Sequence, residues 1–154
     1  MLGVGDTAPE LKLTDLHGVE RPLRDRTAAK PVLLAFFKIS CPTCQYTLPF
    51  IERFAQNDNL DVIAISQDDA EATQEFHEAF GVTVPTLLDE QAKGYPASNA
   101  FGITHVPSIF LLEPDGTIGM AVAGYSNRDL EAVGNMAGLA TFREGERVLE
   151  WKAG

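Results

Sequence analysis

The chain predicts an α/β fold, a mixed central sheet covered by helices. Three observations carry that expectation. Short apolar runs (32–37, 60–65 and 108–112) alternate with segments whose apolar residues recur at helical spacing. Strands separated by helices imply parallel crossovers, whereas Pro114-Asp115-Gly116 is a strong turn signal and implies an antiparallel ending. The 154 residues show no internal repeat, no low-complexity tract and no linker rich in Gly, Pro or Ser, which fits one domain.

The elements follow in order. Leu11 and Leu13 are apolar, Asp15 to Gly18 supply turn residues, and Val19 and Leu23 come next. That pattern predicts a β-hairpin over about 9–24 with His17-Gly18 near its turn. Val32 to Phe37, bounded by Pro31 and Lys38, suits a strand buried on both faces. Leu48, Ile51, Phe54 and Ala55 mark the apolar face of a helix from about Pro42 to about Gln56. Pro49 inside it is expected to cost a hydrogen bond and kink the axis. Leu60 to Ile65 is a second strand. Asp68 or Asp69 caps the next helix, whose face is Ala72, Phe76, Ala79 and Phe80 and whose end is Gly81. Val84 to Leu88 reads as a short strand, Ala97 to Phe101 as a helical turn, Ser108 to Leu112 as a third central strand, and Thr117 to Val122 as its antiparallel return. Asn127 opens a last helix with Leu130, Val133, Met136 and Ala137 on its buried side. The pattern weakens after Leu139, so residues 1–138 are read as the domain and 139–154 as an extension. Within that extension Arg147 to Trp151 either pairs as an extra strand or packs Trp151 onto the domain.

Composition narrows the function. The formal net charge is −10, from 12 Lys and Arg against 22 Asp and Glu with no basic cluster. Nucleic-acid binding needs a concentrated positive face, and anionic membranes disfavour this charge in the same way. The opening MLGVGDTAPELKL lacks a cationic stretch followed by a long apolar run, so no signal peptide is read and a cytoplasmic location is expected. A chain of this size buries roughly 70% of its unfolded surface and needs no disulfide staple. Two cysteines three apart would make a poor one, since the loop they close is short. In a reducing cytosol such a pair is more often catalytic or metal-binding than a resting disulfide.

Cys41-Pro42-Thr43-Cys44 lies between a buried strand and the start of a helix. A thiolate is the reactive species of cysteine, and the unpaired N–H groups and partial positive charge of a helix start favour an anion there. Cys41, at the tip, is therefore expected to be the exposed nucleophile. Pro42 fits the first turn, where its missing N–H is no loss. Cys44 follows one turn later on the same side and can attack a mixed disulfide formed at Cys41. A zinc site would need further Cys or suitably spaced His, but there is no third cysteine, and His17, His77 and His105 stand far apart. No metal and no organic cofactor are expected. His17 and His77 read as surface residues. Met1, Met120 and Met136 read as terminus and core, and Asp68-Asp69 with Glu71 and Glu75 as a solvated helix N-terminus.

Phe36-Phe-Lys-Ile-Ser-Cys-Pro-Thr-Cys44, followed by Leu48-Pro49, resembles the active-site segment of thioredoxin-fold proteins, closest to the redoxin group of TlpA- and ResA-like disulfide reductases and their peroxiredoxin relatives. Gly5-Asp-Thr-Ala-Pro9 through Leu13-Thr-Asp-Leu-His-Gly18 resembles the N-terminal hairpin of that group. Phe101-Gly-Ile-Thr-His-Val-Pro-Ser108 resembles its cis-proline segment, and Pro114-Asp-Gly116 its hairpin turn. The resemblance spans roughly residues 3 to 138. It implies a thioredoxin-like three-layer sandwich with an N-terminal β-hairpin extension. It also implies a cis bond between Val106 and Pro107 facing Cys41, where local sequence alone gives an ordinary trans bond. Val106, Pro107, Pro42 and Thr43 would then contact substrate, with Val106 holding an extended substrate backbone.

Four departures from the family pattern are visible. Ser40 stands where many relatives carry Trp, and Ala35 where many carry a buried acid that moves the proton of the second cysteine. Thr47 replaces the acid of the ResA-like branch. Leu34 and Lys38 occupy the positions at which the peroxidase signature has Pro and Thr. Lys38 and His105 are candidates to lie near Cys41, where a cation would favour its thiolate. The leading expectation is a dithiol oxidoreductase serving cell redox homeostasis. Its partners would be a disulfide-bearing protein or a small-molecule thiol substrate, together with an electron-donor thiol system. A thiol peroxidase with antioxidant activity and a redox-inert binding module are the alternatives.

Overall fold

The computed structural model describes residues 1–24, 29–55 and 57–154. Its centre is β3 (Val32–Phe37), in which all six residues are buried. β3 pairs in parallel with β4 (Asp61–Ser66) and antiparallel with β6 (Ser108–Leu112). Because side chains alternate along a strand, β3 feeds two cores. Leu33, Ala35 and Phe37 enter one of them, with Leu48 and Ile51 of α1 (Pro42–Arg53), Phe54 that caps its C-terminus, Phe76 of α2 (Ala70–Phe80), and Leu130 and Val133 of α4 (Asn127–Ala137). Val32, Leu34 and Phe36 enter the other, with Ala97 and Phe101 of α3 (Pro96–Phe101) and Ala8, Leu13 and Leu23 of the N-terminal segment. Each buried Leu or Phe contributes roughly 1.5–3 kcal/mol, and Phe36 also meets Phe101 and Phe110 at ring separations of 5.4 and 5.8 Å. Helices on both faces of a mixed sheet make the expected three-layer sandwich.

The N-terminal hairpin, β1 (Lys12–Asp15) and β2 (Glu20–Pro22), joins the sheet through antiparallel pairing of β1 with β5 (Thr86–Leu88). Its turn is closed by Asp15, whose Oδ1 accepts the N–H groups of His17 and Val19, and Gly18 takes a left-handed φ of 78°. β7 (Ile118–Ala123) returns antiparallel beside β6, so the described sheet runs β2-β1-β5-β4-β3-β6-β7. A second, two-stranded ladder pairs β8 (Tyr125–Ser126) with β9 (Trp151–Lys152).

Pro49 lies inside α1, which continues to Arg53; the expected end at Gln56 falls outside the described residues. Asp69 rather than Asp68 caps α2, accepting Ala72 N–H at 2.9 Å, and Gly81 ends it at φ 66°. The inward face of α2 is rotated from the expected one. Thr73 and Phe76 are buried, whereas Ala79 is exposed. Thr73 can point inward because its hydroxyl is paired with buried Ser66 Oγ at 2.7 Å. His77 follows the same rotation. It is half-buried, its Nε2 lies 3.0 Å from Thr86 Oγ1, and burial lowers its pKa from the ordinary value, so it is not the surface residue expected.

In α4 the expected inward Met136 is 41% exposed, and Gly134 is buried in its stead. A side chain at 134 would run into Thr141 Oγ1, which turns back to donate to Leu130 C=O at 3.0 Å. Of the two fates open to Arg147 to Trp151, the backbone pairs at Trp151 while the Trp151 side chain stays 65% exposed.

Candidate active site

Between β3 and α1 the chain must turn from a buried strand into a helix, and local hydrogen bonds set that turn. Ile39 N–H donates to Asp68 Oδ2 at 2.8 Å, and Ile39 C=O accepts Gln45 Nε2 at 3.0 Å. Cys41 N–H donates to Lys38 C=O at 3.2 Å, and Cys41 C=O accepts the first helical N–H, that of Gln45, at 3.0 Å. Cys41 is the N-cap itself, with extended φ and ψ of −87° and 115°, and Pro42 takes the first helical turn. Ser, Thr, Asp or Asn usually fills such a position because its side chain accepts an amide from the first turn. Here sulfur does it: Cys44 N–H donates to Cys41 Sγ at 3.1 Å. The cap thus sets the Cys41 sulfur at the start of the helix with an amide of the first turn aimed at it.

The two thiols are not equivalent. Cys41 is partly exposed, and Cys44 is wholly buried beneath it; both are free. Burial drives the pKa of Cys44 far above that of a free thiol, and its contact with Cys41 and the charge of Asp68 act in the same direction. The Lys38 backbone amide opposes them. The pair is therefore divided into an accessible sulfur and a sheltered protonated one.

The Val106–Pro107 bond is cis. It faces the cysteines: Cys41 S–H donates to Val106 C=O at 3.4 Å. Ser108 Oγ donates to His105 C=O, and Gly124 N–H to Pro107 C=O at 2.8 Å, which ties this segment, just ahead of β6, to the residue that follows β7. The structure thus gathers Cys41, Pro42, Thr43, Cys44, Val106 and Pro107 in one place. Lys38 and His105 are exposed at its rim. Among the described residues neither side chain is hydrogen-bonded to Cys41, and His105 Nδ1 pairs with Thr104 Oγ1 at 2.8 Å.

Two features escaped the sequence reading. Asp68, read there as part of a solvated helix end, is half-buried and anchors the loop that carries Cys41. The doubled acid was the available signal, since one aspartate suffices for a cap and Asp69 supplies it. The second is Thr43, which is only 4% exposed because its Oγ1 donates to Ala153 C=O at 2.6 Å. No spacing rule links residues 110 positions apart. Among the described residues no group of three His, Cys, Asp or Glu is placed to hold a metal ion, and no helix is long and apolar enough to cross a membrane.

Comparison with known proteins agrees with this geometry. The chain is 29% identical over 132 residues to the thiol-disulfide oxidoreductase ResA of Geobacillus thermodenitrificans, covering 83% of this chain and 74% of that one. It is 31% identical to the methylamine utilization protein MauD of Methylobacillus flagellatus over 75% of this chain and 55% of that protein. In structure it is similar to the thioredoxin domain of a thiol-disulfide oxidoreductase from Bacteroides vulgatus, with a TM-score of 0.76 at 22% identity over 89% of this chain and 99% of that one. A peroxiredoxin-like protein from Aquifex aeolicus shares the fold at a TM-score of 0.70 and 18% identity, over 88% of each chain. The AhpC/TSA family model matches residues 4–121, most of the sheet and both cysteines, and the chain belongs to that family.

Proposed function

We infer that this chain is a thiol–disulfide oxidoreductase with Cys41 as nucleophile and Cys44 as resolving thiol. The observation that carries this reading is the division of labour in the pair: an accessible sulfur at a helix N-cap, with a buried thiol one turn behind it. The similarity to the curated thiol-disulfide oxidoreductases supports it.

The Cys41 thiolate attacks one sulfur of a partner disulfide and forms a Cys41–partner disulfide. The other partner sulfur leaves as a thiolate and takes up a proton. Cys44 then loses its proton and attacks the Cys41 sulfur, closing the Cys41–Cys44 disulfide and releasing the second partner thiol. Two electrons pass from the pair to the partner, and an external dithiol returns them. The partner is a disulfide-bearing polypeptide, held in extended form beside Val106 and Pro107. In a reducing compartment the exchange would run toward reduction of the partner.

Neither rival has comparable support. A peroxidase would have Pro and Thr ahead of Cys41 where this chain has Leu34 and Lys38. An inert binding module would have no use for one sheltered and one accessible thiol. Reduction of insulin with dithiothreitol as donor tests the reading. The parent chain is expected to catalyse it and Cys41→Ser to be inactive; activity that survives the substitution overturns the assignment. Rapid peroxide consumption without insulin reduction would establish the peroxidase.

A further inference from the structure

Helix α1 presents a stripe of residues three or four apart, Thr43, Tyr46, Phe50 and Arg53, on one face. The segment after α4 covers that stripe turn by turn, starting at the end remote from the cysteines. Arg53 donates to Thr141 C=O at 2.7 Å and makes a bidentate pair with Glu146 at 2.8 and 2.6 Å. The ring of Phe142 meets Phe50 at 5.3 Å. Tyr46 Oη accepts Leu149 N–H at 3.0 Å. The chain then pairs along β8, with Asn127 N–H donating to Glu150 C=O at 3.0 Å, and Lys152 lies opposite Tyr125. It ends over the cysteine motif, where Ala153 C=O takes the Thr43 hydroxyl.

The last contact is the closest. A Cβ added to Gly154 would collide with the carbonyl oxygen of Val106 and come within 3.5 Å of His105 Cβ. Gly124, at a left-handed φ of 81°, makes the matching allowance on the other side, since a side chain there would lie 2.6 Å from Lys152 C=O. Only glycines at 124 and 154 let the tail lie this deep. The tail therefore takes up Thr43, which the family resemblance assigns to substrate, and crowds Val106, beside which the proposed function places it.

We propose that residues 150–154 are a resident occupant of the substrate groove, an extended segment of the chain's own that a disulfide-bearing polypeptide must displace to reach Cys41. The proposal rests on the disulfide-exchange reading, because it needs that groove to be where substrate binds. The tail is a weak competitor. It holds the groove with a short ladder and one buried hydroxyl bond, its Trp151 side chain is exposed, and it places no thiol beside Cys41. A large extended partner is obstructed, whereas a small reagent still reaches the partly exposed sulfur.

Two single-residue variants of the untruncated chain loosen the tail by different means. Gly154→Val creates the collision with Val106, and Lys152→Pro removes a backbone donor from the two-residue ladder. Neither residue lies in the core, and thermal melts of both variants check that the fold is retained. Each variant is expected to raise kcat/KM for insulin by about threefold to tenfold, the equivalent of one or two net hydrogen bonds released. Alkylation of Cys41 by a bulky polyethylene-glycol maleimide should accelerate in parallel, while alkylation by iodoacetamide stays at the parent rate. Insulin kinetics and bulky alkylation both unchanged in the two folded variants would overturn the proposal. If neither parent nor variants reduce insulin, the exchange reading fails instead, and faster bulky alkylation in the variants alone would still show the tail shielding Cys41.

Discussion

The sulfur of Cys41 accepts the backbone N–H of Cys44 at 3.1 Å. One residue thus serves as helix cap and as nucleophile, while its mate is sealed below with its thiol held protonated by burial. At neutral pH iodoacetamide is expected to label the Cys41 peptide alone, read by mass spectrometry. Cys41→Ser should lower insulin reduction by roughly 10³-fold or more, as loss of a nucleophile does. Cys44→Ser should still attack a disulfide once and then accumulate the mixed disulfide at Cys41, visible as a mass adduct that dithiothreitol removes. Preferential labelling of Cys44 would reverse the two roles.

Asp68 couples the Cys41 loop to the buried thiol. Its carboxylate takes the Ile39 amide at 2.8 Å, and its charge adds to the effects, burial foremost, that keep Cys44 protonated. Asp68→Asn keeps an oxygen to accept that amide and removes the charge. A negative charge disfavours a neighbouring thiolate, so its loss should let Cys44 ionise at lower pH. The pH profile for resolution of a preformed mixed disulfide should then move toward acid. Stopped-flow release of a thionitrobenzoate leaving group measures it. A slower resolving step with no such movement would show Asp68 acting as the proton acceptor.

Much of this was legible in the sequence, and the misses share a cause. β3 could be placed because a wholly apolar six-residue run has few other fates, and Cys41 because a strand, a CxxC and Pro42 in succession define a helix start. The cis bond at Pro107 could be reached only through family resemblance, since X-Pro by itself favours trans. Hydropathy alone counts Thr73 and His77 as outward and Met136 as inward. Tertiary partners decided otherwise: Ser66 and Thr86 satisfy the two polar groups, and Thr141 occupies the space that would have drawn a larger residue than Gly134 inward. The tail over the site was invisible for the same reason, because Thr43 and Ala153 have no periodic relation.

His77 gives acid sensitivity a defined sign. Burial lowers its folded pKa below the unfolded value of 6.5, with nearby Glu52 opposing part of that effect. Between those two values the unfolded chain binds the extra proton, so stability falls as pH drops from 6.5 toward the folded value and levels off below it. His77→Asn removes the titrating group. It should lower the Tm at pH 7.5 through the lost packing, and it should flatten the fall in Tm between pH 7 and the acid side of that window, to the extent set by the folded pKa. Differential scanning calorimetry of both chains across the range reads the slope. Equal slopes in parent and variant would remove His77 as the cause.

Gly134 separates intrinsic helix preference from packing. In an exposed helix interior, Gly→Ala stabilises by about 1 kcal/mol. At this position the added methyl runs into Thr141 Oγ1 and lies 3.0 Å from the Leu139 carbonyl. Thr141 cannot move aside freely, because it is buried and its hydroxyl donates to Leu130 C=O. Overpacking of this kind costs about 1–3 kcal/mol, so Gly134→Ala should be destabilising overall, with the loss centred where the extension leaves α4. Hydrogen exchange in the 139–149 peptides should quicken before any change appears in β3. Combining it with Thr141→Ala removes the obstructing hydroxyl, and the double variant should lose less than the two single losses added together, as contacting residues do. Strict additivity in urea melts would mean that the methyl is accommodated without meeting Thr141.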